Sequence, residues 1–260
     1  MCNLVNDDDV QGVIKQFHVI ARKKWIKSVN KGLGSIGYTF ERELGKNPDS
    51  LYFPDYYGTE IKCTSRYSRY PVTLFTAAFD GPSFPEINRI VDKYGYFDKD
   101  IPGKKVLFSK VSCLDKTLIA SGYQIKLDVD FAEEKLYLFV YGLDGTIVER
   151  LSFIYFKTLY DRLNLKLNRL ALVFASKKVD DGVVYFRYYK ICVYKLKKFE
   201  VFIDLLVSGV LQVSLIARVS KSGADLGRYR NKNLVFMLKK CDFNKLFDEI
   251  YSYDYDGKVY

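Results

Sequence analysis

The stretch LYFPDYYGTEIKC, residues 51–63, decides how this chain is read. Pro54 and Gly58 punctuate it, and Thr59 to Thr64 has strand character. Asp55 ends one element, and five residues on the strand offers Glu60 and then Lys62. One residue separates these two, so both side chains leave the same face of the strand. Two acids and an ammonium thereby surround one point. The acids can hold Mg2+, a hard cation that prefers oxygen ligands, with Mn2+ as a substitute, and the Ile61 carbonyl can add a further oxygen. Lys62 can orient or help deprotonate an attacking water and stabilise charge on a phosphate. Metal and lysine together perform in-line phosphodiester hydrolysis without histidine. A Glu–Lys pair on a solvated strand edge has the same spelling, so the spacing alone leaves both readings open.

Composition narrows the rest. The 260 residues are 48% hydrophobic and 28% charged, enough for a well-filled core in one domain or one domain of two lobes. The single histidine, His18, excludes His-cluster metal sites, His–Asp triads and paired-His chemistry. Lys and Arg number 41 against 31 Asp and Glu, a net charge of +10 that favours a polyanionic partner, most simply nucleic acid, though many basic proteins bind none. The five cysteines are scattered without a C-x-x-C, so neither a disulfide framework nor a zinc knuckle is indicated. No apolar run approaches the roughly 18 residues of a membrane span. The acidic start lacks the basic and apolar regions of a signal peptide, so the expectation is a cytoplasmic protein with no membrane partner.

Outward from the motif, apolar residues at helical spacing (Val10, Val13, Ile14, Phe17, Ile20) read as an amphipathic helix over 7–23, with His18 structural beside its stripe. A glycine-rich lead enters a short helix at 38–44, closed by Gly45. Residues 72–79 read as a buried strand, and 80–104, rich in proline and glycine, as loop. The remainder reads mostly as sheet: strands at 123–130, 135–141, 147–150, 170–175, 183–194, 210–219 and 234–238. Helices are expected at 153–165, 199–207 and, capped by Asp242, at 242–251. Residues 220–233 read as a polar basic loop. The class is α/β, a mixed central sheet flanked by helices.

The motif is the PD-(D/E)xK nuclease signature, and its surroundings sharpen it. GSIGYTFERELG (34–45), PDYYGTEIKC (54–63) and PVTLFT (71–76) resemble, in order, the MvaI/BcnI restriction endonucleases, relatives of the nickase MutH. The resemblance is close over residues 25–79 and looser but colinear through the C-terminal third, where LVFMLKKCDFNKLF (234–247) follows a polar loop. It implies a restriction-endonuclease-like fold with two lobes around a DNA cleft. The catalytic lobe is expected at about 1–110, and the remaining sheet and recognition lobe at about 111–260, within one nuclease domain. It implies that Asp55 and Glu60 are metal ligands and Lys62 the catalytic lysine. Glu41, where the family has its helix glutamate, is expected to hold a metal-associated water or a second metal. Glu43, two residues on, faces elsewhere and is expected to be solvated. Cys63 is expected to be a buried small hydrophobe.

Two basic segments follow. Arg66 and Arg69 continue from the active strand toward phosphates, with a solvated turn as the alternative. Residues 218–233 offer Lys221, Arg228, Arg230, Asn231, Lys232 and Asn233, residue types that suit phosphates and base edges. The family has a His-rich run with a glycine here. With that run replaced, the resemblance does not carry the family's CC(A/T)GG or CC(C/G)GG sites over to this chain.

The reading is a Mg2+-dependent, sequence-specific double-stranded DNA endonuclease of the type II restriction kind, giving 5′-phosphate and 3′-hydroxyl ends. The resemblance implies a monomer that nicks each strand in turn, alongside a cognate DNA methyltransferase. Two alternatives stay open: a MutH-like strand-nicking enzyme and a non-cleaving DNA-binding subunit of a defence system.

Overall fold

The computed structural model describes residues 8–32, 34–45, 54–56, 58–81 and 86–257; the side chains of 86, 87 and 231–233 are outside that description. In chain order the first elements are α1 (Asp8–Arg22), β1 (Ile26–Lys27), α2 (Ser35–Glu43), β2 (Glu60–Ser65), β3 (Val72–Ala77), α3 (Glu86–Tyr94) and β4 (Tyr96–Phe97). Next come β5 (Lys105–Val111), β6 (Thr117–Leu118), β7 (Gln124–Asp130), β8 (Lys135–Tyr141), β9 (Ile147–Tyr155) and α4 (Phe156–Leu167). The chain continues with β10 (Arg169–Asp180), β11 (Val183–Leu196), α5 (Phe199–Val207), β12 (Gln212–Val219) and β13 (Tyr229–Leu238). It ends with α6 (Phe243–Leu246) and β14 (Phe247–Asp254). Among the described residues no helix is long and apolar enough to cross a membrane.

The chain forms two compact units. One comprises residues 1–72, 163–197 and 243–260; the other comprises 73–162 and 198–242. Set beside the expected lobes of about 1–110 and 111–260, these units interleave along the chain.

The first unit is built on a mixed sheet of order β1-β11-β10-β2, with β14 also on β11. The long β10–β11 hairpin is its spine, and β2 runs parallel to β10, pairing Glu60 with Leu170 and Lys62 with Leu172. The apolar stripe of α1 (Val10, Val13, Ile14, Phe17, Ile20) is buried against Phe40, Ile61, Ala171, Val173, Tyr188 and Val193. Ile61 thus faces the helices, and Glu60 and Lys62, one residue away on either side, leave from the opposite face. His18 is tied down: Tyr255 lies 2.8 Å from its Nδ1, and the Tyr253 ring meets it edge-on at 4.7 Å. Burial, with Arg22 nearby, lowers its pKa.

The second unit holds two sheets, β3-β13-β12-β5-β4 and the meander β6-β7-β8-β9. Three expectations are corrected here and at the C-terminus. The supposed loop 80–104 contains α3, whose Ile90, Val91 and Tyr94 are fully buried: an apolar helical stripe survives between the prolines. Gly95 ends it, because a Cβ there would lie 2.4 Å from the Val91 carbonyl oxygen. The supposed loop 220–233 becomes strand from Tyr229, since β13 pairs with β12 through Arg218↔Arg230 and Val219↔Tyr229. Main-chain pairing carries the ladder past the apolar half of the strand. The helix expected over 242–251 stops after one turn, and Phe247–Asp254 is strand, pairing β11 from Leu196↔Phe247 to Lys190↔Asp254. Its aromatic residues suit a pleated, half-buried surface.

Candidate active site

The Asp55–Glu60 spacing works because the loop between them is pinched shut. Tyr56 and Thr59 exchange two backbone hydrogen bonds of 3.1 and 2.9 Å, and Gly58 takes the left-handed φ of 65° that the turn needs. This brings Asp55 back onto the start of β2, where its Oδ2 accepts a 3.0 Å bond from the Ile61 N–H. Strand β2 lies at the end of its sheet and, among the described residues, pairs only with β10. The N–H and C=O of one strand residue leave on the same side, so the Ile61 carbonyl also points off the open edge, on the side of Asp55.

Glu60 is the buried member: its side chain is 1% exposed. Its Oε1 accepts from Lys62 Nζ and lies 3.4 Å from Lys166 Nζ. Its Oε2 is buried and has no hydrogen-bond partner among the described residues. Burial raises the Glu60 pKa and the Asp55 charge adds to it, while Lys62 and Lys166 pull it down. A carboxylate oxygen without a partner in a site of Asp55, Glu60 and an edge carbonyl is a set of hard oxygen donors, which fits a divalent cation such as Mg2+. Among the described residues no three His, Cys, Asp or Glu side chains converge as a metal cluster. Glu41, Asp55 and Glu60 are thus not gathered as a three-carboxylate group in this structure.

Glu41 sits on α2, near enough to Cys63 for its charge to act there, as that of Asp55 does. Its Oε1 is 3.6 Å from where a Gly37 Cβ would stand. Burial, with the charges of Glu41 and Asp55, pushes the Cys63 thiol well above its usual range, and Cys63 packs against the helical core as a small hydrophobe. Tyr188 anchors the helix: its hydroxyl donates to the Ile36 carbonyl at 2.7 Å. Thr39 adds a second anchor, accepting from Val29 N–H at 3.2 Å. Glu43 is not solvated as expected. It is ion-paired with Lys23 at 2.7 Å, because α1 ends beside that face of α2.

The expected DNA-contacting residues fall into different surroundings. Arg66 is held by Asp256 at 3.1 Å and lies 5.0 Å over the Tyr189 ring. Arg69 is exposed on the turn after β2. Lys221 is bound by Asp100 at 2.6 Å and Asp98 at 3.2 Å. Arg228 and Arg230 share Asp225 at 3.1 and 3.8 Å and stay 77% and 67% exposed. Asn231, Lys232 and Asn233 lie on β13. Lys166 is the site residue that sequence reading missed. It closes α4 just before β10, and the parallel pairing of β10 with β2 brings it to Glu60. No local spacing signals that approach.

With this geometry in view, the family model of the MvaI/BcnI restriction endonucleases matches residues 14–247. The chain belongs to the MvaI/BcnI restriction endonuclease family. As such it is a site-specific DNA endonuclease, a hydrolase. Among solved structures it is similar to the restriction endonuclease MvaI in complex with cognate DNA. That match has a TM-score of 0.86 and 22% identity, covering 96% of this chain and 100% of the other. MvaI without DNA matches with a TM-score of 0.59 and 18% identity over 96% of this chain and 98% of the other. No curated protein matches. At these identities the structural likeness carries the fold, and the family model carries the membership.

Proposed function

We propose that this MvaI/BcnI-family enzyme is a Mg2+-dependent type II restriction endonuclease that cuts double-stranded DNA at a specific sequence. The observation that carries this is the Glu60 carboxylate, buried with one oxygen lacking a partner, between Asp55 and Lys62. Asp55, Glu60 and the Ile61 carbonyl hold the metal, Mg2+ or in its place Mn2+. When bound, the cation polarises a phosphate oxygen and stabilises the charge that develops on it. Lys62 leaves the same strand face and aligns the attacking water, then neutralises charge on the phosphate. Glu41, on the helix beside β2, steadies water at the rim of the site. In-line attack of this kind yields 5′-phosphate and 3′-hydroxyl ends.

Arg69 presents an exposed guanidinium for DNA phosphates. Arg228 and Arg230 are exposed but share Asp225, and Arg66 and Lys221 are tied to carboxylates, so these four reach phosphates by leaving or sharing those partners. Asn231, Lys232 and Asn233, on β13, are assigned to base edges by residue type. The enzyme acts as a monomer in the cytoplasm and nicks each strand in turn, beside a cognate DNA methyltransferase.

Plasmid cleavage tests the reading. With Mg2+ the wild type gives discrete linear bands, and neither the Lys62→Ala variant nor an EDTA control does. Nicks alone point to a strand-nicking enzyme, and a gel shift without cutting to a binding subunit. Equal cutting by Lys62→Ala overturns the placement of the site.

A further inference from the structure

The second unit carries a cavity of about 480 Å3 that the endonuclease site does not use. Its walls include four aromatic rings: Phe131, Phe156, Tyr160 and Phe199. Phe131 meets Phe156 at 6.2 Å and 83°, Phe156 meets Phe199 at 5.9 Å and 67°, and Tyr160 meets Phe199 at 5.7 Å and 81°. These three contacts are edge-to-face, and Phe199 also stacks on Phe202 at 6.0 Å and 20°, so the rings form one fixed aromatic wall. Phe131 is 65% exposed and Tyr160 49%, so both rings are open to a ligand from solvent.

Three carboxylates, Glu134, Glu200 and Asp204, share the lining. Among the described residues none of the three makes an ion pair. Lys157, the cation of the lining, is 81% exposed and turns to Asp161 at 2.7 Å. These acids stand together in a chain of net charge +10. The meander and helices hold the arrangement firmly. Glu134 sits in the β7–β8 turn with φ 51°, and its carbonyl accepts the Phe156 N–H at 2.8 Å as α4 begins.

We infer that this cavity binds a small organic cation of the alkylammonium class. Aromatic faces attract a poorly hydrated cation through their quadrupoles, and the carboxylates complete its charge. A phosphate would meet three negative groups. A neutral apolar molecule would desolvate those carboxylates without compensation. A bare metal ion needs its oxygen donors converged on one point, and among the described residues no three acidic side chains converge that way.

Calorimetric titration of the full chain, in metal-free buffer without DNA, tests this with choline and with its neutral carbon isostere, 3,3-dimethylbutan-1-ol. Choline binds saturably, the isostere binds at least about tenfold more weakly, and the isosteric double variant Glu200→Gln/Asp204→Asn loses at least about tenfold in choline affinity at an unchanged melting temperature. Tyr160→Ala weakens choline in the same direction. Equal affinity for the isostere, an unaffected double variant, or the absence of saturable choline binding overturns the inference. DNA cleavage plays no part in the readout, so the test stands apart from the catalytic proposal.

Discussion

Lys166 Nζ stands 3.4 Å from Glu60 Oε1, the same oxygen that Lys62 holds, so two ammonium groups crowd one carboxylate oxygen while the other has none. Lys166 is 26% exposed and approaches from the end of α4. Its charge steadies Glu60 in the ionised form and adds positive potential where the phosphate would lie. Lys166→Ala is expected to slow single-turnover DNA cleavage by about tenfold, a barrier increase of about 1.4 kcal/mol, with Lys166→Arg recovering most of the rate. A variant that melts lower but cuts at the wild-type rate would assign Lys166 to structure alone.

Glu60 itself is expected to cost stability. Its folded pKa is raised, by burial first and by Asp55 second, so the folded chain binds this proton more tightly than the unfolded chain. The penalty on the ionised form therefore grows as pH rises through the interval from the ordinary glutamate range to the raised value, and stays constant above it. Glu60→Gln removes the charge and keeps an acceptor for Lys62. At neutral pH without metal the variant should melt roughly 2–4 °C above wild type, the shift expected for about 1 kcal/mol in a chain of this size. It should cut no DNA. Mg2+ should raise the melting temperature of wild type and leave the variant where it is. A variant melting below wild type would show that the partnerless oxygen carries no cost.

The legible part of this site is the part fixed by local spacing. Glu60 and Lys62 share a face because strands alternate, and Asp55 returns to them because Gly58 permits the turn. Glu41 was placed near β2 by resemblance, but its distance from the carboxylate pair depends on how α2 packs, which no spacing encodes. Lys166 lies far along the chain from Lys62 and arrives through the parallel β2–β10 pairing. The same limit applies to the fold. Buried stripes such as that of α1 announced themselves. By contrast, β14 and the polar half of β13 are strands because of what they pair with, and their side chains alone fit a helix or a loop. The cations at 66 and 221 look alike in sequence to Arg69, and only folding shows that Asp256, Asp98 and Asp100 already hold them.

A second carboxylate, Glu149, adds acid sensitivity to the other unit, beside Asp98, Glu133 and Asp144, whose pKa values are also lowered by their hydrogen-bond donors. Burial pushes Glu149 up, but hydrogen bonds from Lys93, Tyr94 and Arg89 outweigh it and bring its pKa down to about 2. The bonds are short: 2.6 Å from Arg89, 2.7 Å from Lys93 and 2.6 Å from the Tyr94 hydroxyl. For a depressed acid the stabilisation is full above the unfolded pKa and is lost as pH falls through the folded one. Chemical denaturation at a series of pH values should show stability falling from the ordinary glutamate range down to about pH 2. Glu149→Gln should lose about 1–3 kcal/mol at neutral pH and flatten that acid limb. An unchanged limb would move the acid sensitivity to other carboxylates.

Arg69 and Lys221 should separate cleanly when DNA binding is measured as a function of salt. Arg69 is exposed on the turn that follows the catalytic strand, where a guanidinium can meet a phosphate and displace a counterion. Arg69→Ala should weaken cognate and random duplexes alike and lower the salt slope by about 1. Lys221 is already neutralised by Asp98 and Asp100. Asp98 also accepts backbone N–H bonds from Asp100 at 2.8 Å and Ile101 at 3.1 Å, so the lysine fastens a turn. Lys221→Ala should leave the salt slope unchanged and lower the melting temperature. If instead Lys221→Ala reduced the slope by about one counterion and Arg69→Ala did not, the lysine would have to leave its two aspartates to reach DNA, and the turn at Asp98 would be part of the binding surface.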